Sequence, residues 1–271
     1  MEFHFIDIGI GNMTIIIFPD GKVFCCDCNI TEENEGRVIE YVTNIVNSHN
    51  IDVFINTHRD ADHMRGIEKL NNIFGITQIW DSGVPGTTTD SAEYLTYMDL
   101  NRQVGITKEP FKYEEIGDVL IRIMNGKNDD LNDDANDQSL VVKFEYGRSG
   151  ILIAGDTSFK PWKELILPKY SDEKLNTEVL VGSHHGSINF FDDPSDEKYY
   201  YVDHIKKINP AISIISVGDN VHNLPDQKAI DLYFKHSRGS NQDNKVFRTD
   251  EDGSIKLIVD SDGTWHLYKN Q

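Results

Sequence analysis

The chain has 271 residues, 45 acidic and 26 basic side chains, a formal net charge of −19 and 38% apolar residues. That length and apolar content suffice for a packed core and argue against disorder, and no apolar run reaches membrane-spanning length. The acidic balance excludes a broad basic surface for polyanions, because phosphate neutralisation by Lys and Arg supplies most non-specific nucleic-acid affinity. Either the substrate is small, or bound metals and a local basic patch reverse the field near the site.

Residues 3–8 and 13–18 read as strands joined by Gly9-Ile10-Gly11-Asn12, and Pro19-Asp20-Gly21-Lys22 turns the chain into a third strand, Val23 to Asp27. The Gly-x-Gly lacks the third glycine and following helix of a dinucleotide loop, so it carries no such function. Cys25, Cys26 and Cys28 are odd in number and crowded into one strand, which predicts reduced, buried thiols and a reducing compartment; Cys-x-Cys alone lacks the other two ligands of a zinc site. Met1-Glu2-Phe3-His4 has neither the basic start nor the apolar core of a signal peptide, and the expectation is a cytoplasmic protein that does not enter a membrane.

Apolar positions at helical spacing in 33–48 predict a helix, and Ile51-Asp52-Val53-Phe54-Ile55 predicts a buried strand. That strand delivers Thr57-His58-Arg59-Asp60-Ala61-Asp62-His63-Met64-Arg65-Gly66, in which two histidines and two aspartates fall within six residues. Imidazole and carboxylate together suit Zn²⁺ or the harder Mn²⁺, and four such groups are enough to reach two metals. A short helix, Ile67 to Phe74, and a strand, Thr77 to Trp80, follow, an alternation that predicts layered α/β architecture. A loop and helix from Gly83 to Asp99 are expected to flank the site and help select substrate. Asp129, Asp130, Asp133, Asp134 and Asp137 read as a solvated acidic loop.

Gln138 to Phe144 predicts a strand, and Ile151-Leu152-Ile153-Ala154 runs directly into Gly155-Asp156-Thr157, a compact way to bring one carboxylate between two ions. Val179 to Val181 ends in Gly182-Ser183-His184-His185-Gly186-Ser187, a histidine pair that core packing explains poorly. The apolar run Ala211 to Gly218 leads into Asp219-Asn220-Val221-His222-Asn223-Leu224-Pro225. His4, His49, His204, His236 and His266 have no metal-type context.

Taken together, these segments resemble the metallo-β-lactamase superfamily. His58-x-Asp60-x-Asp62-His63 resembles its first signature, His-x-His-x-Asp-His, with Asp60 where most members have a second histidine. The aspartate form, the opening Phe-Ile-Asp-Ile-Gly-Ile-Gly-Asn, Asn136 where a histidine is usual, Ser183-His184-His185-Gly186-Ser187 and the closing Arg248-Thr249-Asp250-x-x-Gly253 are similar to the C-terminal domain of the ComEC competence protein, a bacterial DNA-uptake channel. The resemblance implies a mixed α/β fold, a four-layer αββα sandwich formed by residues 1–271 as one domain, with two divalent ions, zinc or manganese, at one edge between the sheets. It places His58 and Asp60 on the first ion, Asp62, His63 and His222 on the second, and Asp156 between them. His184 would complete the first shell and His185 would orient phosphate or protonate the leaving alkoxide, with the two histidines able to exchange tasks. Asp60 and His185 are the expected catalytic pair, and Ser187 and Asn220 the expected substrate contacts. The implied activity is a metal-dependent phosphodiesterase or nuclease. The charge favours short, single-stranded or cyclic nucleotides, or longer DNA delivered by a basic protein partner, with Arg59, Arg65 and Arg102 as the nearby cations in sequence. Rival expectations are a carboxyl-type hydrolase acting on a lactam, lactone or thioester, and a metal-binding effector subunit that acts with a partner.

Overall fold

The protein is described here by a computed structural model covering residues 1–47, 50–131, 134–192, 200–239 and 245–271. His49 and Asp133 lie outside the described residues. In chain order the strands are β1 Glu2–Phe5, β2 Thr14–Ile17, β3 Val23–Cys26, β4 Cys28–Asn29, β5 Ile51–Ile55, β6 Ile76–Asp81, β7 Gly105–Thr107 and β8 Lys112–Ile116. They continue as β9 Val119–Asn125, β10 Val141–Tyr146, β11 Ser149–Ile153, β12 Val179–Val181, β13 Ile212–Ile215, β14 Val246–Arg248, β15 Ile255–Val259 and β16 Trp265–Tyr268. Helices α1 Glu35–Val46, α2 Ala61–Met64, α3 Ile67–Phe74 and α4 Ala92–Val104 belong to the first half. Eight strands form one sheet in the order β16-β15-β1-β2-β3-β5-β6-β7, and seven form a second in the order β14-β13-β12-β11-β10-β9-β8.

Strand periodicity assigns each side chain to a layer. Ile16, Phe24, Val53 and Ile55 of the first sheet meet Phe144, Ile151, Ile153, Val181 and Ile214 of the second in one inter-sheet core. Their neighbours point the other way. Ile15, Cys25 and Phe54 pack under Val38, Val42, Leu70 and Tyr97 of α1, α3 and α4. Leu152, Leu180 and Ile215 pack under Trp162, Ile166, Phe190, Ile205 and Tyr233. The result is helix, sheet, sheet, helix, the expected four-layer αββα sandwich. Covering both faces explains why β5, β11, β12 and β13 are almost continuously apolar in sequence.

Topology then sets the site. β3, β5 and β6 run parallel in the first sheet, and β11, β12 and β13 run parallel in the second. The C-terminal ends of β3, β5, β11, β12 and β13 lead into Asp27, Thr57-His58, Asp156, His184-His185 and Ser216. Side chains distant in sequence therefore converge at one edge of the sandwich.

Several boundaries differ from expectation. β1 stops at Phe5, because Ile6 to Ile8 leave the ladder before the Gly9–Asn12 turn. The strand expected at 138–144 begins at Val141, since Gln138 and Ser139 close a turn on Asp134 and Asn136. The β8–β9 hairpin was not predicted: β8 is exposed on both faces, so it lacks the alternation that marks a half-buried strand. The cysteines are free and buried, as read, and burial raises all three thiols well above their ordinary range. Among the described residues, no helix is long and apolar enough to cross a membrane.

Candidate metal centre

The centre is built around Asp156, a buried carboxylate just past β11. Its Oδ2 lies 3.3 Å from His63 Nε2, 3.7 Å from His185 Nε2, 3.8 Å from His184 Nε2 and 3.9 Å from His58 Nε2. Two groups are close enough to share an ion: His58, His63 and Asp156, and Asp62, His63 and His185. In the second, His185 Nε2 is 3.4 Å and His63 Nε2 3.9 Å from Asp62 Oδ2. Burial opposes charge here, yet His63, His185 and His184 together hold Asp156 well below the usual carboxylate range. Asp62 is likewise pushed down, its burial outweighed by the neighbouring imidazoles of His63 and His185. For His63, Asp156, Asp27 and Asp62 override burial and hold the imidazole well above its usual value. His58 moves the other way, through burial and the neighbouring charge of His63.

The donor set fits divalent ions. His63 Nε2, His185 Nε2 and Asp156 Oδ1 are buried and have no hydrogen-bond partner among the described residues, and an unpaired polar atom of that kind is costly unless something else satisfies it. The opposite ring nitrogens are committed. His185 Nδ1 meets the Ser216 carbonyl at 3.0 Å, which can only accept, so the proton sits on Nδ1 and the Nε2 lone pair is free. His63 Nδ1 is 2.9 Å from Asp27 Oδ2, the carboxylate–histidine pairing that fixes a metal ligand's tautomer. Binding a cation would displace the proton that the surrounding carboxylates favour on His63.

Asp27 is a functional residue that the sequence reading missed. It is fully buried, and its oxygens also accept from Thr57 N at 2.7 Å and Thr57 Oγ1 at 2.8 Å. The available signal was an aspartate at the end of a strand upstream of the histidine cluster, hidden among three cysteines. Asp226 was also missed: its Oδ2 accepts from Ile188 N at 2.7 Å, and its own N–H donates to Gly186 O at 3.0 Å. These bonds brace an unusual turn in which His184 (φ 49°) and His185 (φ 52°) are both left-handed, conformations that cost about 1–3 kcal/mol each when not glycine. The strain throws the two rings apart, with centroids 6.1 Å apart and planes at 87°. Gly186 completes the turn, and a Cβ there would stand 2.6 Å from Pro225 Cβ.

The remaining expected residues divide. His58, Asp62, His63, Asp156 and His185 come together in the close groups, and His184 lies on their rim with its side chain 25% exposed. Asp60 is adjacent, 3.9 Å from His58 Nε2, but its carboxylate is bonded to Thr87 and belongs to neither group. His222 lines the cleft from an exposed loop and joins neither close group; the imidazoles within reach in the second are those of His63 and His185. Asn220 holds its own turn, with Oδ1 accepting from His222 N and Leu224 N and Nδ2 donating to Gly218 O and Leu224 O. All the hydrogen-bonding capacity of its side chain is used within that turn. Ser187 does line the cleft, although its Oγ also accepts from Asn189 N at 3.3 Å.

The cleft encloses about 400 Å³. Asp60, Asp62, Asp156 and Asp226 line it with Ile10, Ile188 and Leu224, and none of the described lining residues is Lys or Arg. The three arginines expected to receive phosphate are engaged elsewhere. Arg59 is buried against Asp81, Arg65 bonds Glu93 and Asn29, and Arg102 pairs with Asp99 on the surface.

Comparison with solved structures agrees on the fold. The metallo-beta-lactamase fold protein YhfI from Bacillus subtilis superposes with a TM-score of 0.53 at 12% identity, covering 98% of this chain and 99% of that one. Igni18, a metallo hydrolase from Ignicoccus hospitalis, gives 0.52 at 10% identity with complete coverage of both chains. CmlA, a diiron beta-hydroxylase from Streptomyces venezuelae, gives 0.57 at 10% identity, and the match spans 99% of this chain but 54% of that enzyme. At these identities the likeness concerns the fold alone. No curated protein matches the chain by sequence. The profile of the Metallo-beta-lactamase superfamily matches residues 46–196, from the end of α1 past the His184-His185 turn, which is more than half of the chain, and the protein belongs to that superfamily.

Proposed function

We propose that the protein is a metal-dependent phosphodiesterase acting on short or cyclic nucleotides, with residues 1–271 working as one hydrolase domain of the ComEC type. The observation that carries the reading is the approach of four imidazole Nε2 atoms to one oxygen of Asp156 within 3.9 Å. One ion would be held by His58 and Asp156, with Asp60, which lies beside that close group with Oδ2 3.9 Å from His58 Nε2, as a further ligand; the other would be held by Asp62, His63 and His185, with Asp156 shared. Ions held there would lower the pKa of a bound water towards neutrality and would stabilise the attacking and leaving oxygens of a phosphodiester.

The chain's own groups supply the rest. His185, buried and tied to Ser216, serves as a ligand, and His184, on the cleft rim, takes the task of giving a proton from Nε2 to the departing oxygen, the exchange of roles left open by the sequence. Asp27 keeps His63 in the ligating tautomer. Ser187 and Asn189, on the cleft wall, offer neutral polar groups to a phosphate or ribose.

Substrate size follows from charge. A cleft whose described lining has four carboxylates and no Lys or Arg would offset a phosphate's charge chiefly through its ions, and it offers no basic track for the flanking phosphates of a polymer. Long DNA would therefore need a basic partner to deliver it. The test is a panel of cyclic dinucleotides, short single strands, RNA and long duplex DNA with Mn²⁺, comparing wild type with His63→Ala. Cleavage of the small substrates lost in the variant is expected, and efficient cleavage of long duplex DNA by the isolated chain would overturn the substrate assignment.

A second reading, a carboxyl-type hydrolase, draws on the aliphatic wall of Ile10, Ile188 and Leu224, which suits an apolar acyl group. Metal-dependent hydrolysis of a thioester or lactone with no turnover of any phosphodiester would favour it.

A further inference from the structure

The segment after β6 is fastened to the histidine loop at successive points. Asp81, the last residue of β6, takes Arg59 Nε at 2.9 Å and a guanidinium nitrogen at 2.8 Å on the same oxygen that Tyr97 OH reaches at 2.7 Å. Five residues on, Gly86 lies directly on the Arg59–Asp60 peptide: a Cβ there would be 2.0 Å from Arg59 O, so only glycine permits the approach. The next residue, Thr87, then closes on Asp60. Its N–H donates to Oδ1 at 2.6 Å and its hydroxyl to Oδ2 at 2.9 Å. No ion pair with Lys or Arg competes for this carboxylate among the described residues; its titratable neighbour is His58, with Nε2 3.9 Å from the same Oδ2.

This arrangement answers a problem created by the residue type. An imidazole ring presents its donor atom rigidly. A carboxylate is shorter and turns about a broad, roughly two-fold torsion, so its orientation must be fixed from outside. Each Asp60 oxygen accepts one bond from Thr87 and keeps a further lone pair. We infer that Thr87 is a positioning residue for the ion proposed at His58, Asp60 and Asp156: its hydroxyl holds Asp60 with Oδ2 turned towards His58, so that the 83–91 loop sets how tightly that ion is held.

The inference rests on the metal-dependent reading above, but its test does not use hydrolysis. Calorimetric titration with Mn²⁺ is run on metal-stripped wild type, Thr87→Val and Thr87→Ser, with the melting temperature of each stripped protein measured alongside. The exposed position and the surviving backbone bond predict unchanged melting temperatures. Thr87→Val is expected to weaken one of the two binding events by about tenfold or more, the usual effect of losing a group that orients a ligand, and Thr87→Ser, which keeps the hydroxyl, to restore it. Wild-type affinity or tighter binding in Thr87→Val, or a serine variant as weak as the valine one, would overturn the role of Thr87. A wild-type protein that takes up no ion would overturn the metal-dependent reading together with it.

Discussion

Replacing Asp27 by Asn removes one charge from behind the centre while sparing its shape. The position has φ 56°, a left-handed conformation that asparagine tolerates. The carboxylate accepts from Thr57 N, Thr57 Oγ1 and His63 Nδ1 at 2.7, 2.8 and 2.9 Å. An amide has one oxygen for these three donors. With its NH₂ in the Oδ2 position it faces both Thr57 Oγ1 and His63 Nδ1, the imidazole proton moves to Nε2, the atom 3.3 Å from Asp156 and 3.9 Å from Asp62, and ligation there ends. With its NH₂ in the Oδ1 position it faces Thr57 N, and a bond to a charged acceptor worth about 1.5–3 kcal/mol is lost. Groups that orient a ligand in this way are worth about 10–100-fold in metal affinity, or about 1.4–2.8 kcal/mol. Isothermal titration of the stripped variant with Mn²⁺ and Zn²⁺ reads that loss, and circular dichroism checks the fold. Wild-type affinity in a folded Asp27→Asn protein would refute the claim that Asp27 sets the orientation of His63.

Asp156→Asn should keep the fold and lose most hydrolysis, since a neutral amide bridges two cations poorly; unchanged turnover would remove Asp156 from the bridging position. His185→Ala should lower the number of bound ions measured by elemental analysis, whereas His184→Ala should keep the ions and lower turnover by about 10²-fold or more, the range for a general acid; the reverse pattern would restore the original assignment of the pair. Stability should also depend on pH through His204, which is fully buried and which that burial pushes from 6.5 down to about 3. Because the folded value is depressed, the unfolded chain binds a proton that the folded one refuses, so stability is lost as pH falls below 6.5 towards 3, by about 2 kcal/mol at pH 5. Denaturant unfolding at pH 7 and pH 5 should show a correspondingly smaller loss in His204→Phe than in wild type, and an equal loss would contradict the assignment.

What could be read in the sequence was what chain-local chemistry determines. Ile151–Ala154 and Val179–Val181 announced buried strands because both their faces are covered, and each ended in ionisable residues that have no place in a core. Ile67 to Phe74 was legible as a helix because its buried residues, Ile67, Leu70 and Phe74, fall on one helical face. Side-chain direction was less accessible. His184 and His185 are neighbours, and only two consecutive left-handed residues decide which one faces Asp62. Asn220 matched a motif position, yet its amide is satisfied within the seven residues 218–224, a result that depends on how the turn closes. Thr87 touches Asp60 across 27 positions, and Asp27 touches His63 across 36, through contacts that only the packed sheets create. Proximity in sequence misled for Arg59, whose partner Asp81 lies on the next strand and turns it away from the cleft.

The most direct test of the account is hydrolysis of bis-p-nitrophenyl phosphate by protein loaded with Mn²⁺ or Zn²⁺, with bound ions counted in the same samples. The account predicts about two ions per chain, turnover that vanishes on chelation and returns with metal, and loss of both ions and turnover in His63→Ala. Wild-type protein that binds its ions yet leaves the phosphodiester intact while opening nitrocefin would contradict it.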